Sequence, residues 1–311
     1  MSGSVQKPIL ITGAAGLVGS TLAERLVKAG RPVIALDRYV QTLPSGVAVQ
    51  ACDLGDIHRL HAVAKDGIEA IIHCGAYSGP MVARDSPYSM VQVNIVGTAN
   101  MLELARVHSV RRFIYCSSTS AYGKVDDSDV VVEGVPLRPA SLYGASKVAS
   151  EYMVTAYSDQ YDVSGVNIRL SWVYGPRRTT DCIIRTMIEN AQASRPTRMA
   201  FGLDFPRQFI HVNDAVDGLL LALDVEKPAS SVYNITGDTR VTLGEIARLV
   251  RSVHPDADIE LQPGDDPVDE IQAKFSIEAA RQELKYTPKI SLAEGIATYS
   301  KWLAEQKGAA S

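Results

Sequence analysis

The 311-residue chain carries a formal charge of −4 and a pI near 5.9, so it presents no basic field for nucleic acid. No apolar run approaches the ~20 residues that span a bilayer, and residues 1–7 lack the apolar core of a signal peptide, which excludes a membrane partner and predicts a soluble, cytoplasmic protein. Cys52, Cys74, Cys116 and Cys182 have neither metal-like nor disulfide-like spacing, and the six histidines are scattered, so reduced thiols and no metal are expected.

Residues 8–12 read as a buried strand. The run Gly13-Ala14-Ala15-Gly16-Leu17-Val18-Gly19 leaves it and opens a helical pattern over 17–29 that stops at Gly30. Gly13 allows a tight turn, Gly16 lets backbone approach a pyrophosphate, and Gly19 lets helix and sheet pack closely. The helix N-terminus, with Ala15, Leu17 and Val18, offers N–H donors to that pyrophosphate. A second strand, 32–37, ends on Asp37, which can accept hydrogen bonds from adenosine ribose hydroxyls and repels a 2′-phosphate. The cofactor expected is therefore NAD. Arg38 beside it either pairs with a 2′-phosphate, which would admit NADP, or is a solvated surface side chain.

Strands over 47–52, 70–74 and 113–117 and helices over 57–64 and 88–107 continue the alternation. Cys74 and Cys116 each end one of these runs, as neighbouring small hydrophobes. The alternation implies an α/β protein built on a Rossmann-type doubly wound parallel sheet, with ligands at the carboxyl ends of its strands. A long helix from about Tyr143 to Tyr161 and a strand over 166–173 follow. Pro and Gly then gather in 175–207 and 236–289, around a helix over 243–253 that Thr242 can cap. These segments predict a smaller C-terminal substrate-binding lobe, with a frayed tail after Gln306. The division expected is residues 1–174 as a cofactor-binding core and 175–311 as mainly the lobe, with about 208–235 returning to the core.

Tyr143 and Lys147 stand one helical turn apart in Ser141-Leu142-Tyr143-Gly144-Ala145-Ser146-Lys147. A phenol of ordinary pKa near 10 is a poor base at neutral pH unless positive charge stabilises its anion. Lys147 can supply that charge from the same helical face, and an oxidised nicotinamide supplies more. Ser118, at the end of a strand, can hydrogen-bond a reacting oxygen as charge develops on it. Alone, such a Tyr–Lys pair is surface decoration and such a serine a turn residue. Downstream of the Gly-rich loop they read as catalytic.

With these residues and the runs Asp53-Leu54-Gly55-Asp56, His73-Cys74-Gly75-Ala76, Asn94 to Thr98, Ser117 to Gly123, Arg169 to Arg177 and Arg207 to Asp214, the chain resembles the extended short-chain dehydrogenase/reductases, in particular the NAD-dependent epimerase/dehydratase family. The resemblance implies that Asp53 and Leu54 contact the adenine, that Cys74, Gly75 and Ala76 lie along the cofactor, and that Asn94 supports the active site. It also implies that Ser118, Tyr143 and Lys147 form the catalytic triad, and that a homodimer forms through the helices at 88–107 and 142–161. Family members that eliminate water carry an Asp-Glu pair after the serine. Here stand Thr119 and Ser120, which argues against a dehydratase and leaves them as substrate contacts.

Arg207 aligns with the family's arginine that grips a substrate diphosphate, and Arg177 is a second candidate or else a surface arginine. Trp172 stands where many nucleotide-sugar enzymes have an asparagine, and the segment 177–207 is short, both of which suggest a smaller substrate. Ser78, with Tyr77 and Met81, either lines the pocket or packs a loop. His211 and Asp214 are read as structural, Asp214 capping the helix that runs toward Leu223. The leading expectation is nucleotide-sugar epimerisation resembling that of UDP-glucose 4-epimerases. The alternative is NAD-dependent dehydrogenation of a smaller free sugar, sugar acid or polyol, and a remote one is an NAD-sensing protein without chemistry.

Overall fold

The computed structural model describes residues 6–125 and 130–310, so the signal-peptide reading of residues 1–7 falls mostly outside the described chain. Thirteen strands occur among these residues: β1 (Ile9–Thr12), β2 (Val33–Asp37), β3 (Gln41–Thr42), β4 (Ala48–Ala51), β5 (Ala70–His73), β6 (Arg112–Ser118), β7 (Gly165–Leu170), β8 (Trp172–Tyr174), β9 (Thr197–Met199), β10 (Pro206–His211), β11 (Val232–Ile235), β12 (Arg240–Thr242) and β13 (Ile259–Leu261). Eight of them form one sheet in the order β11-β7-β6-β5-β1-β2-β4-β3, parallel except where β3 meets β4. The order reverses at β1, which is where a doubly wound sheet opens a ligand crevice.

The central strands are apolar on both faces because both are covered. Ile9 and Ile11 of β1 join a core beneath α1 (Leu17–Lys28), while Leu10 between them points to the opposite core. That second core holds Leu60 of α2 (Ile57–Val63). It also takes Met101 and Leu102 from the long helix formed by α3 (Pro87–Val91), a π turn over Gln92–Val96 and α4 (Gly97–Val107), and Val154 from α5 (Leu142–Tyr161).

The strand expected over 166–173 is two strands. β7 ends at Leu170 in the large sheet, and after Ser171 the chain enters β8, which pairs with β10 in a three-stranded sheet, β12-β10-β8. A separate core gathers Met187 and Ile188 of α6 (Ile183–Gln192), Ile246 and Val250 of α8 (Leu243–Val253), and Ile296 and Tyr299 of α9 (Leu292–Ala310). Thr242 and Glu245 close a capping box at the start of α8. Between α6 and α8 in sequence, α7 (Val212–Asp224) packs beside α1, and β11 adds to the edge of the large sheet. α9 continues to Ala310, so the tail expected to fray after Gln306 is helical. Among the described residues no helix is long and apolar enough to cross a membrane.

Candidate active site

A cleft of about 710 Å³ lies along the carboxyl ends of β2, β1, β5 and β6. Its floor is the turn between β1 and α1. Gly13 has φ of +66°, and a Cβ there would stand 2.8 Å from the Cys74 carbonyl; a Cβ on Gly19 would stand 2.2 Å from the Gly13 oxygen. Gly16 stands at the N-cap of α1 and offers no side chain to accept from its first turn, which leaves N–H groups at the cleft without a cap. Asp37 accepts from the Ala15 N–H at 3.0 Å and the Tyr39 N–H at 3.1 Å, tying the loop to the end of β2. Leu17, Val18, Asp53, Leu54, Cys74, Gly75 and Ala76 line the same cleft. A cradle that a methyl group would fill, an open helix N-terminus and an acidic residue at the end of β2 fit a dinucleotide. Arg38 is exposed and lines the cleft; it donates to the Tyr77 hydroxyl at 2.7 Å and lies 4.8 Å and 4.9 Å from the Tyr39 and Tyr77 ring centroids.

Behind the cleft runs a buried polar chain centred on His73. The Gly75 N–H donates to Thr12 Oγ1, which lies 2.6 Å from His73 Nδ1; His73 Nε2 lies 3.1 Å from Thr98 Oγ1. Thr98 spends its one proton on the Asn94 carbonyl, so Nε2 carries the ring proton and Nδ1 accepts from Thr12. Burial, then the charge of Lys147, pushes His73 down to about 3, so the imidazole is neutral. Asn94, in the π turn, does not line the cleft. It holds both the N–H and the carbonyl of Tyr77 and donates to Ser146 Oγ, which in turn donates to the Tyr143 carbonyl. π turns interrupt helices at functional sites, and this one aims Asn94 at the loop after β5 and at α5.

Tyr143, Lys147 and Ser118 all line the cleft. Ser141 caps α5 by accepting from the Gly144 N–H, and a Cβ on Gly144 would stand 2.5 Å from the Ser120 carbonyl, so α5 enters tight against the end of β6. Lys147 donates to the Cys116 carbonyl at 2.7 Å and lies 5.8 Å from the Tyr143 ring centroid. Burial opposes its charge, but Tyr115, Tyr143 and Cys116 favour it, and the ammonium is held above its ordinary pKa. Ser118 Oγ accepts from the Ser120 N–H at 3.1 Å and lies 3.2 Å from Ser120 Oγ. Thr119 and Ser120 form the tight turn after β6 and border the cleft. The Sγ atoms of Cys74 and Cys116 are 3.2 Å apart as free thiols.

The substrate end departs from expectation. Arg177 has φ of +74° and pairs with Glu24 of α1 at 2.7 Å, so it does not line the cleft. The next residue, Arg178, does, and adjacency in sequence gave no means to choose between them. Arg207 is buried, stacked 4.1 Å from the Trp172 ring centroid, and bonded to Asp266 at 2.6 Å and Asp269 at 3.0 Å. Trp172, Ser78, Tyr77 and Met81 line the cleft. Asp214 does not cap α7: His211 does, and the Asp214 carboxylate accepts from the backbone of Lys289 and Ile290. Sequence reading also missed the Thr12–His73–Thr98 chain, whose members are 61 and 25 residues apart and carry no local pattern.

The chain is similar to a UDP-glucose 4-epimerase of Mycolicibacterium smegmatis, 29% identical with 93% of this chain and 96% of that one covered. It is similar to a dTDP-glucose 4,6-dehydratase of Neisseria gonorrhoeae, 27% identical with 97% of each covered. Among solved structures it is similar to MoeE5 in complex with UDP-glucose and NAD, 28% identical with a TM-score of 0.87, covering 96% of this chain and 99% of that one. A family model matches residues 9–236, which contain the Gly-rich loop and all three cleft residues Ser118, Tyr143 and Lys147. The chain belongs to the NAD dependent epimerase/dehydratase family.

Proposed function

We propose that the protein oxidises a secondary-alcohol carbon of a sugar-type substrate with NAD. The observation that carries this is the meeting of Tyr143, Lys147 and Ser118 with the Gly-rich loop in one cleft. Gly13, Ala15, Gly16 and the N-terminus of α1 would hold the pyrophosphate, Asp37 the adenosine ribose, and Lys147 the nicotinamide ribose. Bound NAD supplies the hydride acceptor. Tyr143 takes the proton of the substrate hydroxyl, and Lys147 favours the resulting phenolate. Ser118 donates a hydrogen bond to the oxygen as it becomes a carbonyl.

In its first form the reaction is epimerisation, the hydride returning to the same carbon from the other face. The UDP-glucose 4-epimerases among the relatives support it, and nucleotide sugars are the first substrates to test. Net dehydrogenation of a smaller substrate is the second form, favoured by the two aspartates that occupy Arg207. Dehydration is not proposed, because Thr119 and Ser120 supply neither a carboxylic acid nor a carboxylate beside the sugar. We also propose residues 1–174 as the cofactor-binding core, a cytoplasmic location, and a homodimer through α3, α4 and α5, where Tyr88 and Tyr152 are exposed.

Tyr143→Phe removes the proton acceptor without changing ring volume. Turnover is expected to fall by about 10²–10⁴-fold with NAD affinity kept. Inverted product without net reduced cofactor would identify the first form, and accumulating absorbance of reduced cofactor the second. Unchanged turnover in the variant would remove Tyr143 from the chemistry and defeat the proposal.

A further inference from the structure

We infer that Cys74 and Cys116 form a reversible oxidation site inside the cofactor cleft, where a hydroperoxide joins the two thiols as a disulfide and NAD binding is weakened.

The sheet brings the two sulfurs together. β5 and β6 run parallel with His73 opposite Tyr115, so the next residues, Cys74 and Cys116, stand side by side at the carboxyl ends. Neighbouring strands lie about 4.8 Å apart, inside the range over which two Cα atoms accept a disulfide. The Sγ atoms are 3.2 Å apart, one thiol donating to the other. Both residues border the cleft, Cys74 partly exposed and Cys116 only 7% exposed. A small oxidant entering the cleft therefore meets Cys74 first, with Cys116 behind it.

The other two cysteines lack this arrangement. Cys52 borders the cleft too, but its thiol donates to the Asp53 carbonyl, and Cys182 lies in the core between α6, α8 and α9. Among the described residues neither has a second thiol in hydrogen-bond contact.

The reaction needs only the peroxide as oxidant. The Cys74 thiolate attacks one peroxide oxygen, the O–O bond breaks, and a sulfenic acid forms as hydroxide leaves. The Cys116 sulfur then attacks the sulfenic sulfur, the S–O bond breaks, and water leaves as the S–S bond closes. Two thiols lose two electrons and two protons, and hydrogen peroxide is reduced to two waters. The hydrogen bond to Cys116 and then burial hold the Cys74 thiol above its ordinary pKa, against the pull of the Lys147 charge. Little thiolate is present, so the site answers sustained peroxide and not a brief exposure.

The backbone of these two residues supports the cofactor site. Gly13 rests on the Cys74–Gly75 peptide so closely that a Cβ on it would stand 2.8 Å from the Cys74 carbonyl and from the Gly75 nitrogen. The Cys116 carbonyl accepts from Lys147 at 2.7 Å. A covalent bond brings the sulfurs closer than thiol contact allows and draws the two strand ends together. Close-packed backbone transmits that displacement, to the Gly-rich turn on one side and to Lys147 on the other.

The test treats the purified full-length protein with excess hydrogen peroxide, counts free thiols after denaturation, and locates disulfides by mass spectrometry of unreduced peptides. The count is expected to fall from four to two with Cys74 joined to Cys116, and dithiothreitol is expected to restore both thiols. Calorimetry is expected to show NAD binding at least tenfold weaker after oxidation and recovered after reduction. In Cys116→Ser the sulfenic acid on Cys74 has no sulfur to close on, and dimedone is expected to trap it with no disulfide formed. A count that stays at four, a disulfide of any other pairing, or unchanged NAD affinity in protein carrying the Cys74–Cys116 bond would each overturn the inference. The wild-type measurements decide even where the variant does not fold. None of them requires turnover, so they stand apart from the test of Tyr143.

Discussion

Gly19 has no room for a methyl group, because the third glycine of the loop sits where α1 crosses the turn it springs from. A Cβ there would stand 2.2 Å from the Gly13 oxygen and 2.9 Å from the Ala14 Cα, both backbone atoms that cannot rotate away. At Gly16 the nearest atom to a Cβ is 3.2 Å distant, a contact that a few tenths of an ångström would relieve. The two positions therefore separate the tasks of the loop. Gly19→Ala is expected to destabilise the fold by about 1–3 kcal/mol through overpacking and to weaken NAD binding by displacing the turn. Gly16→Ala is expected to leave the melting temperature nearly intact while weakening NAD, since its Cβ obstructs only the approach of the phosphates. Melting curves with NAD titrations on both variants check this, and equal effects on both readouts at the two sites would contradict it.

α5 carries Tyr143, Lys147 and Glu151 at successive i+4 positions, and its anchor is the last of these. Glu151 and Arg169 are 5% and 4% exposed, joined at 2.6 Å, with Ser117 donating to the carboxylate from β6. Removing one partner strands a buried charge. Arg169→Met is expected to cost about 3–5 kcal/mol in urea denaturation, and Glu151→Met added to it to recover much of the loss. A double variant no more stable than the single one would show that the pair acts through shape and not through charge. The same helix marks what could be read from sequence. The meeting of Tyr143, Lys147, Asp37 and the glycines at one cleft was legible because local spacing places them there. Glu151 was not, since its partner lies 18 residues away on a strand. Arg177 and Arg178 are neighbours with no difference of pattern, and only the left-handed backbone at Arg177 turns that side chain to Glu24. Asp214 read as a cap because it stands at a helix start, yet its carboxylate serves backbone 75 residues downstream. Arg207 read as a diphosphate-gripping arginine by resemblance, and its pairing with Asp266 and Asp269 was not legible, because it depends on a loop some sixty residues later.

Across the whole molecule, His73 joins β1, β5, the π turn and, through Asn94, the loop and helix that flank the cleft. Its chain of hydrogen bonds requires a neutral ring, so the fold is sensitive to acid at its centre. In the unfolded chain this imidazole titrates near its ordinary 6.5, whereas in the folded protein burial holds it down to about 3. Between those values the unfolded state binds the extra proton. The contribution to stability is complete above about pH 6.5 and is lost progressively as pH falls toward 3. pH 5 lies 1.5 units below the unfolded-state pKa and still above the folded one, so the loss of stability by that pH is about 2 kcal/mol. Carboxylates protonate over part of the same range, so the comparison must isolate the histidine. Wild type and His73→Gln, unfolded in urea at pH 7.5 and pH 5.0, provide that comparison. The variant starts less stable because the chain through Thr12 and Thr98 is disturbed, but it lacks the titrating group. Wild type is expected to lose about 2 kcal/mol more than the variant between the two pH values. Equal losses would mean that His73 keeps an ordinary pKa in the folded state, and that the chain from Thr12 to Asn94 tolerates a charged ring.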